Sequence, residues 1–313
     1  MAFKRNPQKF SAATKTVVIG TGEHAVTLGG ENVLPLYTFD APIENRPKVG
    51  IEFTDAGVDR SVPGIAEYYA GAESFAEIAI RAAAAPGADF IAIALEGADP
   101  NGEDKSVEEC VAICKEAADA VEVPIVICGC KNHEKDSKLF EKIADALHGK
   151  NVLFMSASEE NYKGVAASAG LAYGQKIGAE SAVDINLAKQ LNVLINQMGV
   201  PADSVVMNVG SAAAGYGFEY VASTMDRVKA AALAQNDAML QNPIVTPVVA
   251  DAWSVKESIV SEADFPEWGP AEKRGIAMEV STTAACLASG SNAVILKHPQ
   301  SVATIAKFID ELM

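Results

Sequence analysis

Basic residues are scarce in this chain of 313 residues, where 25 Lys and Arg stand against 41 Asp and Glu for a net charge of -16. Because a phosphate backbone is bound through a basic field, this composition argues against a nucleic-acid partner. No run of about 18 apolar residues is present, as a membrane-spanning helix would need. The basic start MAFKRNPQKF is not followed by the apolar segment of a signal peptide. We therefore expect a cytoplasmic protein that contacts neither nucleic acid nor membrane.

Cysteine is also sparse, with five residues at Cys110, Cys114, Cys128, Cys130 and Cys286. An odd number of cysteines in an unexported chain argues against a disulfide framework. Their spacing matches neither the CxxC pairs of zinc sites nor the pattern of ferredoxin clusters. We expect buried or redox-idle thiols that behave as small apolar side chains, and no metal site on this chain.

The motifs of several common enzyme classes are missing as well. The sequence contains no Ser-His-Asp order, no HExxH helix and no Walker loop, which argues against hydrolases and nucleotide hydrolysis. Gly20-Thr21-Gly22 resembles part of a dinucleotide-binding GxGxxG, but it lacks the third glycine and the following helix. No histidine has the D-x-H-x-x-G setting that donates an imidazole to a cobalt corrinoid.

A regular alternation of strands and helices is what the sequence does contain. The stretch Asn161 to Asn192 predicts a helix, a buried strand at 176–179 and a second helix capped by Asp184. Eight continuous apolar runs of this kind, separated by Ala-rich helical patterns, begin near Lys48, Phe90, Pro124, Asn151, Lys176, Ser204, Pro243 and Asn292. This pattern predicts an α/β fold, a (β/α)8 TIM barrel over residues 47–313, with a doubly wound open sheet as the alternative.

Residues 1–46 precede this pattern and predict a separate N-terminal hairpin and extended arm. TVVIG and AVTLGG are short β-type runs joined by a polar segment, as in a β-hairpin. ENVLPLYTFDAPIENRP contains three prolines and therefore predicts an extended arm. The arm would either wrap one end of the domain or form part of a subunit contact.

Polar side chains follow nearly every predicted strand, at the end of a TIM barrel where active sites form. They are Asp55, Glu96, Cys130, Asn132, Ser156, Ser158, Glu180, Asn208, Asp251, Lys297 and His298. Carboxylates and amides at a barrel mouth suit hydrogen bonding to a polar heterocycle or to amide-bearing side arms. Each residue taken alone could equally be a helix N-cap or a loop hydrogen-bonding group.

Several segments in order carry a family resemblance over nearly the whole chain. They are VTLGGENVLPLYTFDAP, NRPKVGIEFTD, EKDSKLFEKIA, the Asn161-Tyr162-Lys163 segment, YGQKIGAESAVDINLAKQLN, GYGFEY, TPVVADAWSVKES, WGPAEKRG and ILKHP. The chain resembles the small (delta) subunit of the corrinoid/iron–sulfur protein of the acetyl-CoA synthase/CO dehydrogenase (acetyl-CoA decarbonylase/synthase) system. The resemblance itself implies a (β/α)8 barrel, in agreement with the strand pattern.

The resemblance implies a non-catalytic methyl-carrier subunit. It would form a heterodimer with a large subunit that bears a [4Fe–4S] cluster and a corrinoid domain, with cobalamin held between that domain and the barrel mouth. Cobalt would take a methyl group from methyl-tetrahydrofolate, through a methyltransferase, and deliver it to acetyl-CoA synthase in the reductive acetyl-CoA (Wood–Ljungdahl) pathway.

Under this resemblance we predict a set of cofactor-binding residues, and no catalytic or metal-ligating ones. The set is Asn161, Tyr162, Glu180, Asn208, Gly210, Ser211, Gly215, Tyr216, Gly217, Asp251, Trp253 and His298. The glycine-rich loop would let a flat macrocycle come close, Trp253 would pack on the corrin, and Asn161 with Tyr162 would donate to corrin amides. The alternatives are loop shaping for the glycines, core packing for Trp253 and a plain N-cap for Asn161.

Two other functions remain open at this point. One is a pterin-dependent methyltransferase barrel that acts directly on methyl-tetrahydropterin, since such barrels also use Asp and Asn at strand ends; an enzyme of this kind would be a corrinoid-dependent methyltransferase. The other is a barrel lyase or aldolase in which the strand-end Lys297 forms a Schiff base.

Overall fold

A computed structural model describes residues 6–313. Residues 1–5 of the predicted N-terminal segment lie outside this range. The described residues contain a two-stranded sheet and an eight-stranded parallel sheet. The strands are β1 Thr16–Ile19, β2 Val26–Gly29, β3 Lys48–Thr54, β4 Phe90–Ala94, β5 Ile125–Cys128, β6 Leu153–Ala157, β7 Lys176–Glu180, β8 Val205–Asn208, β9 Val245–Pro247 and β10 Ala293–Leu296.

Helices alternate with the strands from β3 onward. They are α1 Pro63–Tyr68, α2 Phe75–Ala83, α3 Val107–Ala120, α4 His133–Ala146, α5 Tyr162–Val165, α6 Ile185–Gln197, α7 Phe218–Ala234, α8 Val249–Ala252, α9 Lys256–Ile259, α10 Ala271–Ser289 and α11 Pro299–Leu312. In the part of the chain that the structure describes, no helix is long and apolar enough to cross a membrane.

The parallel strands form a nearly closed barrel in the order β8-β7-β6-β5-β4-β3-β10-β9. The two outer strands of this order meet where the Met207 N–H donates to the Pro243 carbonyl at 2.7 Å. Each of the eight apolar runs contains one barrel strand, so the predicted (β/α)8 barrel is confirmed. Because the strands are parallel, their carboxyl ends all open at the same mouth.

Alternate residues of each strand face the helices or the barrel interior. On β3, Val49, Ile51 and Phe53 pack in the core beneath the helices, whereas Gly50 faces inward. A Cβ atom at Gly50 would lie 2.1 Å from the ring of Phe90, so this position admits no side chain. The ring of Phe90 thus fills the space that a side chain at position 50 would occupy.

The hairpin of β1 and β2 closes the amino-terminal end of the barrel. Val17, Ile19 and Leu28 are almost fully buried and pack with the interior side chains of the barrel strands. The Gly20 N–H donates to the Asn151 carbonyl at 2.8 Å, just before β6. An antiparallel hairpin was predicted for this segment. Its inner face is apolar because it packs against the end of the barrel interior.

A buried ion pair connects the segment that follows the hairpin to helix α7 of the barrel. Lys229 Nζ on α7 lies 2.8 Å from Glu31 Oε1 and 3.0 Å from Asn292 Oδ1. Thr14 also donates to Glu31, at 2.9 Å. Burial alone would raise the pKa of Glu31, but Lys229 and the hydrogen bonds bring that pKa below its usual value. The predicted arm then runs through turns and bends from 30 to 47 before β3 begins.

The stretch from 161 to 192 has the predicted order of elements. Helix α5 continues into a π-helical segment, Ala166–Ala172, before β7 and α6 follow. The carboxylate of Asp184 accepts hydrogen bonds from the N–H groups of Asn186 and Leu187, at 2.7 and 3.2 Å, and caps α6 as predicted.

Candidate functional site

A cavity of about 540 Å³ opens at the carboxyl ends of the barrel strands. Seven of the polar residues predicted at strand ends line it, namely Glu96, Cys130, Ser156, Ser158, Glu180, Asn208 and Asp251. Parallel strands bring these residues together although they are spread over about half of the chain. Gly210 and Ser211 of the predicted site line the same cavity.

Asn208 organises one wall of this cavity. Its side-chain amide donates to Ser156 Oγ at 3.1 Å, and its carbonyl accepts from the Gly210 N–H at 3.1 Å. Gly210 has φ +90, a left-handed conformation that favours glycine. Asn208 therefore links the ends of β8 and β6 across the intervening β7, and it fixes the turn that follows β8.

Asp251 and Lys131 contribute opposite charges to the cavity lining. Burial raises the pKa of Asp251, while the Ser211 hydroxyl and Lys131 act in the opposite direction. Lys131 has φ +67 and directly follows Cys130. The other ionisable residues of the lining are mainly carboxyl groups, those of Glu52, Glu96, Asp99, Asp136, Glu180 and Asp251.

Glu52 is a lining residue that the sequence reasoning missed. It lies within β3, in the otherwise apolar run VGIEF, and only 9% of its surface is exposed. Burial, together with the nearby Glu96 and Glu279, raises the pKa of Glu52 to about 8, although Lys297 and Lys131 oppose the shift. A lone acidic residue inside a buried strand was the available signal.

A second cavity of about 290 Å³ adjoins the first and shares Glu52, Glu96 and Val249 with it. Lys297 lines this side cavity, with its ammonium 2.6 Å from Asp59 Oδ2 and 4.9 Å from the ring centre of Trp253.

His298 and Trp253 are packed together outside the lining of the mouth cavity. Their rings stack with centres 6.1 Å apart and planes 13° from parallel. The Gln300 N–H donates to His298 Nδ1 at 3.1 Å, so Nε2 carries the ring proton and donates to Glu272 at 3.0 Å. The indole of Trp253 covers Gly275, where a Cβ atom would lie 2.3 Å from the ring. Both side chains are thus held against α10.

Asn161 and Tyr162 also lie outside the lining of this cavity. The Asn161 side chain is 4% exposed and accepts a hydrogen bond from the Ser158 N–H at 2.7 Å. It makes no capping hydrogen bond to the helix that follows, within the described residues, so it closes the preceding loop instead. Tyr162 is half-buried against the main core.

Gly215, Tyr216 and Gly217 form an exposed loop before α7. Both glycines have left-handed φ values, +88 and +89. Tyr216 is 48% exposed and its hydroxyl donates to Glu257 Oε2 at 2.5 Å, which ties this loop to α9. These three residues do not line the mouth cavity in the structure of residues 6–313.

The cysteines are held as thiols. Cys128 and Cys130 line the mouth cavity, and burial raises the pKa of Cys130 to about 12 and that of Cys128 well above its usual value. Cys110, Cys114 and Cys286 are fully buried. Among residues 6–313, no three His, Cys, Asp or Glu side chains are grouped so that they could hold a metal ion.

Residues 16–297 match the protein family described as CO dehydrogenase/acetyl-CoA synthase delta subunit. The chain belongs to this family. It is 32% identical over 297 residues to the acetyl-CoA decarbonylase/synthase complex subunit delta of Archaeoglobus fulgidus, covering 94% of this chain and 65% of that protein. Subunit delta 2 of Methanosarcina acetivorans is 33% identical, with 94% and 67% covered. The match therefore spans about two thirds of these relatives.

Solved structures with a similar fold include dihydropteroate synthases. That of Yersinia pestis in a sulfonamide drug complex has a TM-score of 0.57 at 11% identity, covering 85% of this chain and 93% of that one. The enzyme of Vibrio fischeri has a TM-score of 0.55 at 12% identity, with 94% and 97% covered. At this level of identity the likeness establishes the TIM-barrel fold alone.

Proposed function

We propose that this chain is the small subunit of a heterodimeric corrinoid methyl carrier, and that its barrel mouth covers the cobalamin of a larger subunit. Membership of the delta-subunit family supports this role. The observation that carries the proposal is the cavity at the carboxyl ends of the strands, with carboxyl, amide and hydroxyl groups from several strand ends. The large subunit would bear the [4Fe–4S] cluster and the corrinoid domain.

The residues at the mouth fit the periphery of a corrinoid. The corrin ring carries acetamide and propionamide side arms, which both donate and accept hydrogen bonds. At about 540 Å³ the cavity has the size of a small-molecule pocket, so it would receive side arms while the ring lies across the rim. Glu52 supplies a carboxyl that lines the cavity and has no hydrogen-bond partner among residues 6–313, so it is available to such an arm.

When bound, the corrinoid supplies a cobalt atom that accepts and donates a methyl group. This chain would contribute binding and shielding rather than bond making. Glu52, Glu180 and Asn208 would hold polar side arms, and the barrel beneath them would exclude water from one face of the ring. The exposed loop at Gly215 to Gly217 would lie at the rim of this contact. A methyl-tetrahydrofolate methyltransferase would deliver the methyl group, and acetyl-CoA synthase would take it.

A methyltransferase that binds methyl-tetrahydropterin directly is the second candidate. The observation in its favour is the same acidic cavity, since adjacent carboxyl and amide groups such as Glu180 and Asn208 suit the amide and amine edge of a pterin. The Schiff-base lyase has less support, because Lys297 Nζ is paired with Asp59 Oδ2 at 2.6 Å and the residue does not line the mouth cavity.

The decisive experiment is a tagged pull-down from anaerobic native extract, followed by a visible spectrum and native mass measurement. The methyl-carrier function predicts a one-to-one complex with a larger subunit that contains cobalt corrinoid and iron. A colourless barrel that is captured alone and binds methyl-tetrahydropterin would overturn the proposal in favour of the methyltransferase.

A further inference from the structure

Glu52 differs from the other buried acidic residues in having no hydrogen-bond partner. Glu31 is paired with Lys229, and Asp55 and Asp136 each accept a backbone N–H, from Gly97 at 2.7 Å and from Cys130 at 2.8 Å. Glu279 accepts the N–H of Lys297 at 2.7 Å. Among residues 6–313, Glu52 alone of these buried acids lacks such a bond.

The carboxyl oxygens of Glu52 are not among the fully enclosed polar atoms of residues 6–313 that lack a partner, so they reach cavity surface instead of being sealed in the core. Glu52 lines both the mouth cavity and the side cavity, and it is more than nine-tenths buried. Its carboxyl group is therefore directed into space that a ligand can reach. The carboxyl group is thus available to hydrogen-bond a ligand group that enters either cavity.

The surroundings of Glu52 select the chemistry of that ligand group. The titratable groups that act on it or line its two cavities are Asp59, Tyr69, Glu96, Asp99, Cys128, Cys130, Lys131, His133, Asp136, Glu180, Asp251, Glu279 and Lys297. Burial and the acidic members of this set keep the carboxyl group protonated at neutral pH, since its pKa is about 8. A protonated carboxyl presents a donor and an acceptor side by side.

We propose that Glu52 anchors a primary carboxamide side arm of the corrinoid, inserted through the barrel mouth. The carboxyl O–H donates to the amide carbonyl, and the carboxyl C=O accepts an amide N–H, so that two parallel hydrogen bonds form. This inference rests on the proposed function and adds the residue and the ligand group that make the contact. It also makes this contact sensitive to pH, because only the protonated carboxyl can donate.

The test uses the complex of this chain with its large subunit, freed of corrinoid and titrated with aquocobalamin by visible absorption. Glu52→Leu removes both hydrogen bonds, and we expect the Kd to rise about tenfold, which corresponds to the loss of net hydrogen bonding. Glu52→Gln keeps a donor and an acceptor, so we expect a Kd close to that of the wild type. Glu108→Leu and Glu108→Gln, at an exposed position of α3, are the matched controls for the same replacements away from the cavities.

Two further readouts separate a ligand contact from a structural effect. The wild-type Kd should rise as pH increases through about 8, whereas the Kd of Glu52→Gln should stay constant. At least one of the cobalamin monocarboxylic acids, in which a propionamide arm is hydrolysed, should bind the wild type more weakly than aquocobalamin does. Glu52→Leu should show no such discrimination.

The outcomes distinguish the two proposals. If the wild type binds aquocobalamin and Glu52→Leu binds it equally well, the role of Glu52 is overturned and the methyl-carrier function stands. If the wild-type complex binds no corrinoid, both are overturned. Thermal unfolding of each variant establishes that it is folded, and Glu52→Leu should be at least as stable as the wild type.

Discussion

Lys229 and Glu31 are 198 residues apart in the chain, yet their side chains meet at 2.8 Å with exposures of only 4% and 7%. The pair joins α7 to the chain that follows the hairpin. Removing one partner of a buried pair leaves an uncompensated charge, which typically costs about 3–5 kcal/mol. The hairpin therefore depends on a charge contributed by the opposite half of the sequence.

Lys229→Met should lower the free energy of unfolding by about 3–5 kcal/mol, measured by urea denaturation. Glu31→Leu combined with Lys229→Met should recover part of this loss, because neither charge is then left alone. Lys142→Met, at an exposed pair with Glu141, is the control and should have little effect. A loss below about 1 kcal/mol for Lys229→Met would contradict the buried-pair interpretation.

The ion pair of Glu31 and Lys229 should make the free energy of unfolding depend on pH in the acidic range. The pKa of Glu31 is lower in the folded protein than in the unfolded chain, so its contribution is complete above the unfolded value of 4.5 and is lost as pH falls through the folded pKa. Urea denaturation over a series of acidic pH values should show a smaller loss of stability for Glu31→Gln than for the wild type. Equal slopes would show that Glu31 is not the group responsible.

Glu52 should have the opposite effect on stability. Its pKa rises from 4.5 in the unfolded chain to about 8 in the folded protein, so the folded state binds more protons between these values. Stability should therefore decrease as pH rises from 4.5 to about 8. At the upper end of this range, Glu52→Leu should be about 1–3 kcal/mol more stable than the wild type, because it buries no unpartnered polar group. Glu108→Leu should leave the pH profile unchanged.

Gly50 should tolerate no side chain. A Cβ atom there would lie 2.1 Å from the Phe90 ring, so Gly50→Ala should destabilise the barrel by about 1–3 kcal/mol in urea denaturation. Gly102→Ala is a matched control, since its nearest neighbour, the Asp99 carbonyl, would be 3.6 Å away. Gly50→Ala combined with Phe90→Leu should restore part of the loss. No recovery in the double variant would mean that the clash is not with Phe90.

The barrel could be predicted from the sequence because its strands are buried on both faces and read as continuous apolar runs. Many residues that line the mouth cavity could be predicted from the same pattern, since the residue after each strand must lie at the same end of a parallel barrel. Glu180, Asn208 and Asp251 were predicted in this way and line one cavity.

Glu52 could not be found by that reasoning because it lies inside a strand rather than after it. Its importance depends on which face of β3 it occupies and on the absence of a partner in three dimensions. The positions of Trp253 and His298 were equally out of reach, because Gly275 and Glu272 on α10 hold them. These contacts depend on how α10 packs on the barrel, which local sequence patterns do not specify.

The hairpin of β1 and β2 covers the amino-terminal end of the barrel, so the cavity opens only at the carboxyl ends of the strands. Val17, Ile19 and Leu28 fill the amino-terminal end of the barrel interior. A ligand that enters the mouth cavity must therefore leave through the same mouth. Under the proposed function the partner presents the corrinoid to this opening, so its side arms can approach the cavity from one direction only.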